Sequence, residues 1–467
     1  MTPTDTDLLI VGAGPAGMAA AVMARHCGLS VHVVDDQSEP GGQVWRAIET
    51  VAATQRAARL GAAYQVGVDR AATFRSCGAI FEPQCQLWQI EPGFKAFTTR
   101  AGRAGKIGAK AIILATGAQE RPAPFPGWTL PGVMTVGAAQ ILLKTADSVP
   151  EKPVWIAGCG PLTLLYATQL LAAGGRIAGL LDTTPRARLA TALRHLPRAL
   201  GRLGDLAKGL GWALALKRAG LPTVRHVCEL QAEGRQRLER VCYRCDNGRS
   251  GEVAADVLLV HEGVVPNIHV PLTLGCNVSW HVDQQCFVPV LDVWGETSKQ
   301  NVFVAGDGAG IGGAEVAEIR GRLAALRVAS RLGMLSEDDA GAAARPEFVA
   351  LARALALRPF LDALFAPRLQ VFAPADETLA CRCEEVTAGE LRARAAEGRP
   401  GVNQLKAFTR AGMGPCQGRQ CAYTMAHIIA ATQHRPVAEV GLFRMRPPLK
   451  PVTLGELASL DEQEPAR

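Results

Sequence analysis

The feature that most constrains this chain is Gly12-Ala13-Gly14-Pro15-Ala16-Gly17, because it stands between a strand and a helix in the order a dinucleotide site requires. Asp7 to Val11 is a short apolar run with the β-branched character of a buried strand, and Met18 to His26 continues as helical sequence. In such a unit Gly12 permits the tight turn, Gly14 lets the backbone approach a pyrophosphate, and Gly17 lets helix and strand pack closely. The free amides of the helix N-terminus then face the phosphate charge. Val31 to Val34 reads as the second strand, and Asp35 closes it 23 residues beyond Gly12. An acid at that distance accepts hydrogen bonds from an adenosine ribose, with Asp36 as the alternative.

The same pattern recurs. Val154 to Ala157 leads into Gly158-Cys159-Gly160-Pro161 and the helical run Leu162 to Ala173, stopped by Gly174-Gly175. Here Thr163 replaces the third glycine, and Asp182 is one residue late as the ribose acid. Arg186 and Arg188 stand near it as receivers for a 2′-phosphate or as ordinary surface arginines. The second half-fold is therefore expected either to bind NAD(P) through Gly158, Gly160 and Asp182 or to be a retained fold that holds another adenine nucleotide or nothing.

Three further elements match the two-dinucleotide flavoprotein pattern, of glutathione-reductase type, that this chain resembles. They are Gly41-Gly42-Gln43 after the second strand, Ala115-Thr116-Gly117 after the strand Ala111 to Leu114, and Gly306-Asp307 after the strand Val302 to Ala305. The resemblance implies FAD at the first site, with Asp307 toward its ribityl and phosphate region; a helix N-cap is the alternative for Asp307. A late strand so far from the first motif predicts a split FAD domain with the second domain inserted.

Other classes are disfavoured. The formal charge of +7 reads as small and spread along the chain, which argues against nucleic acid. The polar start Met1 to Asp7 does not fit a secretion signal, and no apolar run is long enough to span a bilayer, so a cytoplasmic location is expected. Thirteen cysteines in a reducing compartment are not expected to form a disulfide framework. None follows Gly41-Gly42 or precedes Val154, and Cys242-Tyr243-Arg244-Cys245 reads as two thiols beside the turn Asp246-Asn247-Gly248. Disulfide reductase chemistry is therefore not expected.

Cys381-Arg382-Cys383 and Cys416-Gln417-Gly418-Arg419-Gln420-Cys421 are separated by 32 residues. Four thiolates in two close pairs suit a [2Fe-2S] cluster, two per iron, with Gly412, Gly414 and Gly418 leaving room for the backbone to wrap it. Structural zinc is the rival. The run from Cys381 to Cys421 resembles the bacterioferritin-associated-ferredoxin-like domain. Fused behind Gln119-Glu120-Arg121-Pro122 and Phe125-Pro126-Gly127-Trp128, it is similar to the larger accessory subunit of bacterial opine oxidases, D-hydroxyproline dehydrogenase and hydrogen cyanide synthase, and to part of the sarcosine oxidase α subunit.

The resemblance implies an α/β chain with two Rossmann-like, dinucleotide-binding domains and a small C-terminal [2Fe-2S] domain. Its expected parts are an FAD domain at 1–150 and 286–335, a second dinucleotide domain at 151–285, a polar, alanine-rich linker opening a helical stretch at 336–375, the cysteine domain at 376–446 and a tail at 447–467. It also implies that a partner flavoprotein subunit, with or without a small third subunit, oxidises a secondary amine or amino acid, and that this chain relays the electrons onward to an unidentified acceptor. A self-sufficient NAD(P)H-dependent reductase and a zinc-bearing interaction or redox-sensing module are the alternatives. No histidine or acid presents itself as a substrate base. Arg186 to Arg218 reads as amphipathic helix, either a solvated face or a docking face, and Pro447 to Pro451 as an extended arm or a surface tail.

Overall fold

The computed structural model describes residues 4–460 apart from 55 and 399. The first residues of the expected FAD domain, 1–3, and the last of the expected tail, 461–467, lie outside the described residues.

The first strand, β1 (Thr4–Val11), passes through Gly12–Gly14 into helix α1 (Pro15–His26) and returns as β2 (Val31–Val34). β1 lies between β2 and the long strand β3 (Arg103–Leu114), parallel to both. The sheet has seven strands, and β3 serves two partners along one edge. Its first half pairs antiparallel with Lys95–Arg100, and its last residues, Ile112 to Leu114, pair parallel with Val302–Val304. A strand that starts only at Val302 thus completes the sheet begun at Thr4.

A second, five-stranded parallel sheet is built around β4 (Val154–Gly158), which feeds α2 (Pro161–Ala172) and then β5 (Ile177–Asp182). The chain continues through short helices Arg188–Leu193 and Leu196–Ala199 into α3 (Leu203–Arg218), so the expected amphipathic stretch is segmented. An antiparallel meander, Val227–Glu233, Arg240–Cys245 and Ser250–Ala254, precedes β6 (Val257–His261), which pairs with β4. After β7 (Val302–Val304) come α4 (Ala314–Arg331), α5 (Glu337–Ala354) and α6 (Arg358–Leu364). The cysteine domain has its own core, from Ala380 to Phe443, around α7 (Ala422–Thr432).

Alternate residues of β1 serve different layers, as a buried parallel strand requires. Leu8 and Ile10 pack with α1 and α4, whereas Leu9 and Val11 pack with Leu87, Ile90 and Leu449 on the other face. α4 reaches α1 closely at Gly321, where a methyl group would overlap the Ala16 carbonyl. Gly321→Leu is therefore expected to push α4 off α1 and cost about 3 kcal/mol by overpacking, read as a fall in the denaturant midpoint.

The linker expected from Ser336 to Arg345 is corrected by the structure. Ser336 caps α5, its hydroxyl accepting from the Asp339 amide, and Glu337, Asp338 and Asp339 favour the first turn. Ala340 and Ala344 are fully buried, so the alanine richness is packing and not slack. The helical stretch is interrupted at Leu355–Leu357, just ahead of Pro359, which stands in the first turn of α6, where its missing N–H costs nothing.

Candidate functional site

The residues predicted for the first dinucleotide converge on the start of α1. Gly12 lies at φ 106°, and a methyl group on it would overlap the Ala115 carbonyl; one on Gly17 would overlap the Gly12 carbonyl. The Asp35 carboxylate is buried at the end of β2. Its Oδ2 accepts from the Ala13 amide at 2.5 Å and its Oδ1 from the Gln37 amide at 2.8 Å. Burial raises its pKa above the usual carboxylate range against the pull of those two amides. Asp36 points elsewhere, paired with the Lys450 ammonium at 2.6 Å.

The second glycine pair docks on this turn: the Gly41 amide donates to the Ala13 carbonyl at 2.8 Å. The Gln43 carbonyl receives the buried Lys144 ammonium at 3.0 Å, and its Oε1 receives Arg46 at 3.3 Å. Thr116 donates to the Asn267 carbonyl at 3.0 Å, and the Gly117 carbonyl accepts the Asn267 amide at 2.9 Å. Gly306 packs on Ala16. The Oδ1 of Asp307 accepts from the Gly312 and Gly313 amides at 2.8 and 2.9 Å, ahead of α4.

Sequence reasoning missed Arg46 and Lys144. Both are buried beside Gln43, and the Arg46 Nε has no hydrogen-bond partner. Burial first, and the Arg46 charge second, pull the Lys144 pKa down to about 7. Neither residue stands in a motif. Lys144 lies on a helix that reads as apolar, Val136–Ala146, and only the fold discloses its burial.

The second glycine turn is differently surrounded. Cys159 follows β4, Thr183 follows β5 and Glu262 follows β6, so these residues mark three adjoining carboxyl ends, where a doubly wound sheet binds its ligand. All three are buried. The segment after α6 reaches them: the Cys159 thiol donates to the Phe365 carbonyl at 3.6 Å, and the Arg368 guanidinium pairs with Glu262 at 2.6 Å, both side chains almost fully buried. Thr183 closes the group with a 3.4 Å bond to Glu262. Thr163 bonds back to the Cys159 carbonyl at 3.3 Å, and the Asp182 carboxylate takes the Thr184 amide at 2.9 Å. The chain's own residues 365–368 therefore lie against the carboxyl ends of these three strands.

The four cysteines gather, but not as their spacing suggested. Cys381 pairs with Cys421 across the two motifs, and Cys383 with Cys416. The inner pair is buried, whereas Cys383 is exposed and Cys416 half-buried. The Cys421 thiol, with the amides of Gly412, Glu384 and Cys383, draws the Cys381 pKa down to about 6. A side chain at Gly414 would overlap Cys383. Among the described residues no three His, Cys, Asp or Glu side chains form a single-ion site; the thiols stand as two pairs.

Of the remaining motif residues, Gln119 and Trp128 hold this domain in place. Gln119 donates to the Arg419 carbonyl at 3.3 Å, Glu120 pairs with His261 at 2.8 Å, and Arg121 donates to the Gln284 and Gln285 carbonyls at 2.6 and 2.8 Å. The Trp128 indole donates to the Leu379 carbonyl at 2.7 Å, two residues before Cys381. The arm Pro447 to Pro451 is a strap: its Pro448 carbonyl takes Gln417, its Leu449 carbonyl takes Arg419, and its Leu449 amide donates to Trp88, each at 2.7 Å, before Lys450 reaches Asp36.

A family model for pyridine nucleotide-disulphide oxidoreductases matches residues 6–333, and one for the sarcosine oxidase A3 domain matches residues 378–460. The opine oxidase A-subunit of Agrobacterium tumefaciens (strain Ach5) is 44% identical over 97% of this chain and 92% of its own length. Hydrogen cyanide synthase subunit HcnB of Pseudomonas aeruginosa is 32% identical, over 97% and 98%. The crystal structure of L-proline dehydrogenase from P. horikoshii superposes with a TM-score of 0.73 at 20% identity, covering 97% of this chain and 80% of that one, which is a likeness of fold. The chain belongs to the pyridine nucleotide-disulphide oxidoreductase family, within the group of opine oxidase A-subunits.

Proposed function

We propose that this chain is the electron-transfer subunit of a flavin-dependent complex that oxidises a secondary amine or amino acid of the opine class. On this reading Gly12, Gly14, Pro15, Ala16 and Gly17 hold the FAD pyrophosphate, Asp35 its ribose, and Gly42, Gln43, Ala115, Thr116, Gly117, Gly306 and Asp307 line the rest. Arg46, buried with an unpartnered Nε, adds a positive charge beside the glycine turns. Cys381, Cys383, Cys416 and Cys421 hold a [2Fe-2S] cluster. Bound there, the flavin would take electrons in pairs and the cluster would pass them singly.

The observation that carries the proposal is the attachment of the thiol pairs to the flavin domain. Gln119, Trp128 and the strap fix the Cys416 loop and the Cys381 strand from three directions. Such bracing suits two redox groups that exchange electrons over a constant separation. The A-subunit relatives supply the substrate class, and with it an amine-oxidising partner flavoprotein. Among the described residues no helix is long and apolar enough to cross a membrane.

Purified alone, the chain is expected to carry FAD with about two iron and two acid-labile sulfide, and to show no turnover of opines with a dye acceptor. Turnover by the isolated chain would defeat the proposal; zinc in place of iron would defeat its cluster. The position of residues 365–368 predicts the electron source. Anaerobic NADH or NADPH is expected to leave the flavin absorption band unbleached, while dithionite bleaches it. Bleaching by either nucleotide would establish a self-sufficient reductase instead.

A further inference from the structure

Helix α3 has two apolar stripes where a helix on one domain needs one. The stripe through Gly209, Trp212 and Leu216 turns toward the protein, and Leu216 is fully covered. The other, Leu203, Ala207, Leu210 and Leu214, repeats at four, three and four residues and so shares one face. That face is bare: Leu203 is 63% exposed, Leu210 71% and Leu214 42%. Upstream, Leu189 and Leu193 lie one turn apart on their short helix, both more than half exposed, and Leu200 is half exposed. Single exposed leucines are ordinary, but six between positions 189 and 214 are not.

The charge of the same segment corrects the even distribution expected from the sequence. Residues 186–218 hold eight arginines and lysines against one acid, Asp205. The excess of seven equals the formal charge of the whole chain. Asp205 is moreover engaged by Arg202 and Lys208, at 2.6 and 3.2 Å.

We propose that this leucine and arginine surface docks on an anionic lipid bilayer, with α3 in the plane of the interface. Charge complementarity selects the occupant. A second copy would bring an equal positive excess against the first. A protein interface would be expected to expose aromatic or methionine anchors, and the single aromatic of this segment, Trp212, is half-buried on the packed stripe. Leucine on one side and basic residues around it is the composition of helices that lie at the headgroup boundary. Helix α3 and its flanks suffice for such docking, whatever cofactors the chain holds.

The test is flotation of the full, purified chain with vesicles of phosphatidylcholine alone or with about one third phosphatidylglycerol. The chain is expected to float on the order of tenfold better with the anionic vesicles, and raising salt to about 0.5 M should remove most of that gain. The triple variant Leu203→Gln, Leu210→Gln, Leu214→Gln should lose binding by about tenfold, with circular dichroism and flavin content unchanged. The pair Arg194→Glu, Arg198→Glu should lose only the preference for anionic lipid. Failure of the native chain to float, or equal flotation of native chain and both variants, would overturn the proposal. So would light scattering that shows a dimer, or a complex with the amine-oxidising subunit, that forms with the native chain and not with the leucine variant; either outcome would assign the face to protein.

Discussion

Cys421→Ser is expected to abolish the signal of the proposed cluster while leaving the flavin in place. Cys421 is fully buried at the N-terminus of α7 within hydrogen-bonding reach of Cys381, so its replacement removes one member of the inner thiol pair. Serine keeps the volume and is a competent helix cap, which separates loss of a ligand from loss of fold. Its hydroxyl does not ionise at neutral pH and is a poor substitute for a thiolate. In the proposed complex, electron delivery to an external acceptor should fall by about 100-fold or more, whereas reduction of the partner's flavin by substrate should proceed as before. The readouts are EPR of the reduced protein, iron and sulfide content, and single-turnover absorbance. Cys383→Ser should behave alike, because the outer pair is equally necessary. Cys242→Ser and Cys245→Ser, on a meander strand outside the cysteine domain, should change none of these. A persistent signal in the Cys421 variant would remove the four-cysteine assignment.

How much of this was legible depended on how local each signal was. The turn at Gly12 and Gly17 was readable because strand, glycine and helix are consecutive, although the carbonyl that crowds Gly12 belongs to the distant Ala115. The motif residues Gln119 and Trp128 were recognisable as marks of a family, yet their work as joints was not, because their partners, Arg419 and Leu379, lie 300 and 251 positions away. The cysteine spacing disclosed four candidate ligands but suggested pairing within each motif; the fold crosses them, since Cys381 ends a strand packed against the start of α7.

Two misreadings had different causes. Ser336 to Arg345 looked like linker on composition, although Ser336 followed by Glu337, Asp338 and Asp339 is a helix start that composition conceals. The charge excess at 186–218 was present in the sequence all along, but a chain-wide total hides a segment whose remainder is neutral. The covering of the second glycine turn had no sequence signal at all. It depends on residues 365–368 returning over three strand ends, and no spacing rule predicts where a linker comes to rest.

Two glycines of one motif should fail in different ways, and that contrast tests the site more sharply than either alone. Gly17→Val strikes the protein itself: its Cβ would overlap the Gly12 carbonyl, so α1 has to leave β1, and the variant is expected to lose about 3 kcal/mol or more and to fold poorly. Gly14 is unlike it. Its φ of −73° suits any residue, and the nearest atom to an added Cβ is the Gly42 Cα, at an ordinary 3.7 Å. Nothing in the protein demands glycine there; the space that a side chain would enter is the approach to the helix N-terminus, which the pyrophosphate would use. Gly14→Val is therefore expected to give a soluble chain whose flavin-free form melts within about 2 °C of flavin-free native protein, yet whose FAD affinity has fallen by at least about 100-fold, a cost of about 3 kcal/mol. Thermal melts of the two flavin-free chains, together with flavin fluorescence on dilution, separate the effects. If Gly14→Val kept its FAD, the dinucleotide would have to lie elsewhere, and with it the roles proposed for Asp35 and Gln43; if it failed to fold, the glycine would be structural and the approach to α1 would not be the phosphate site.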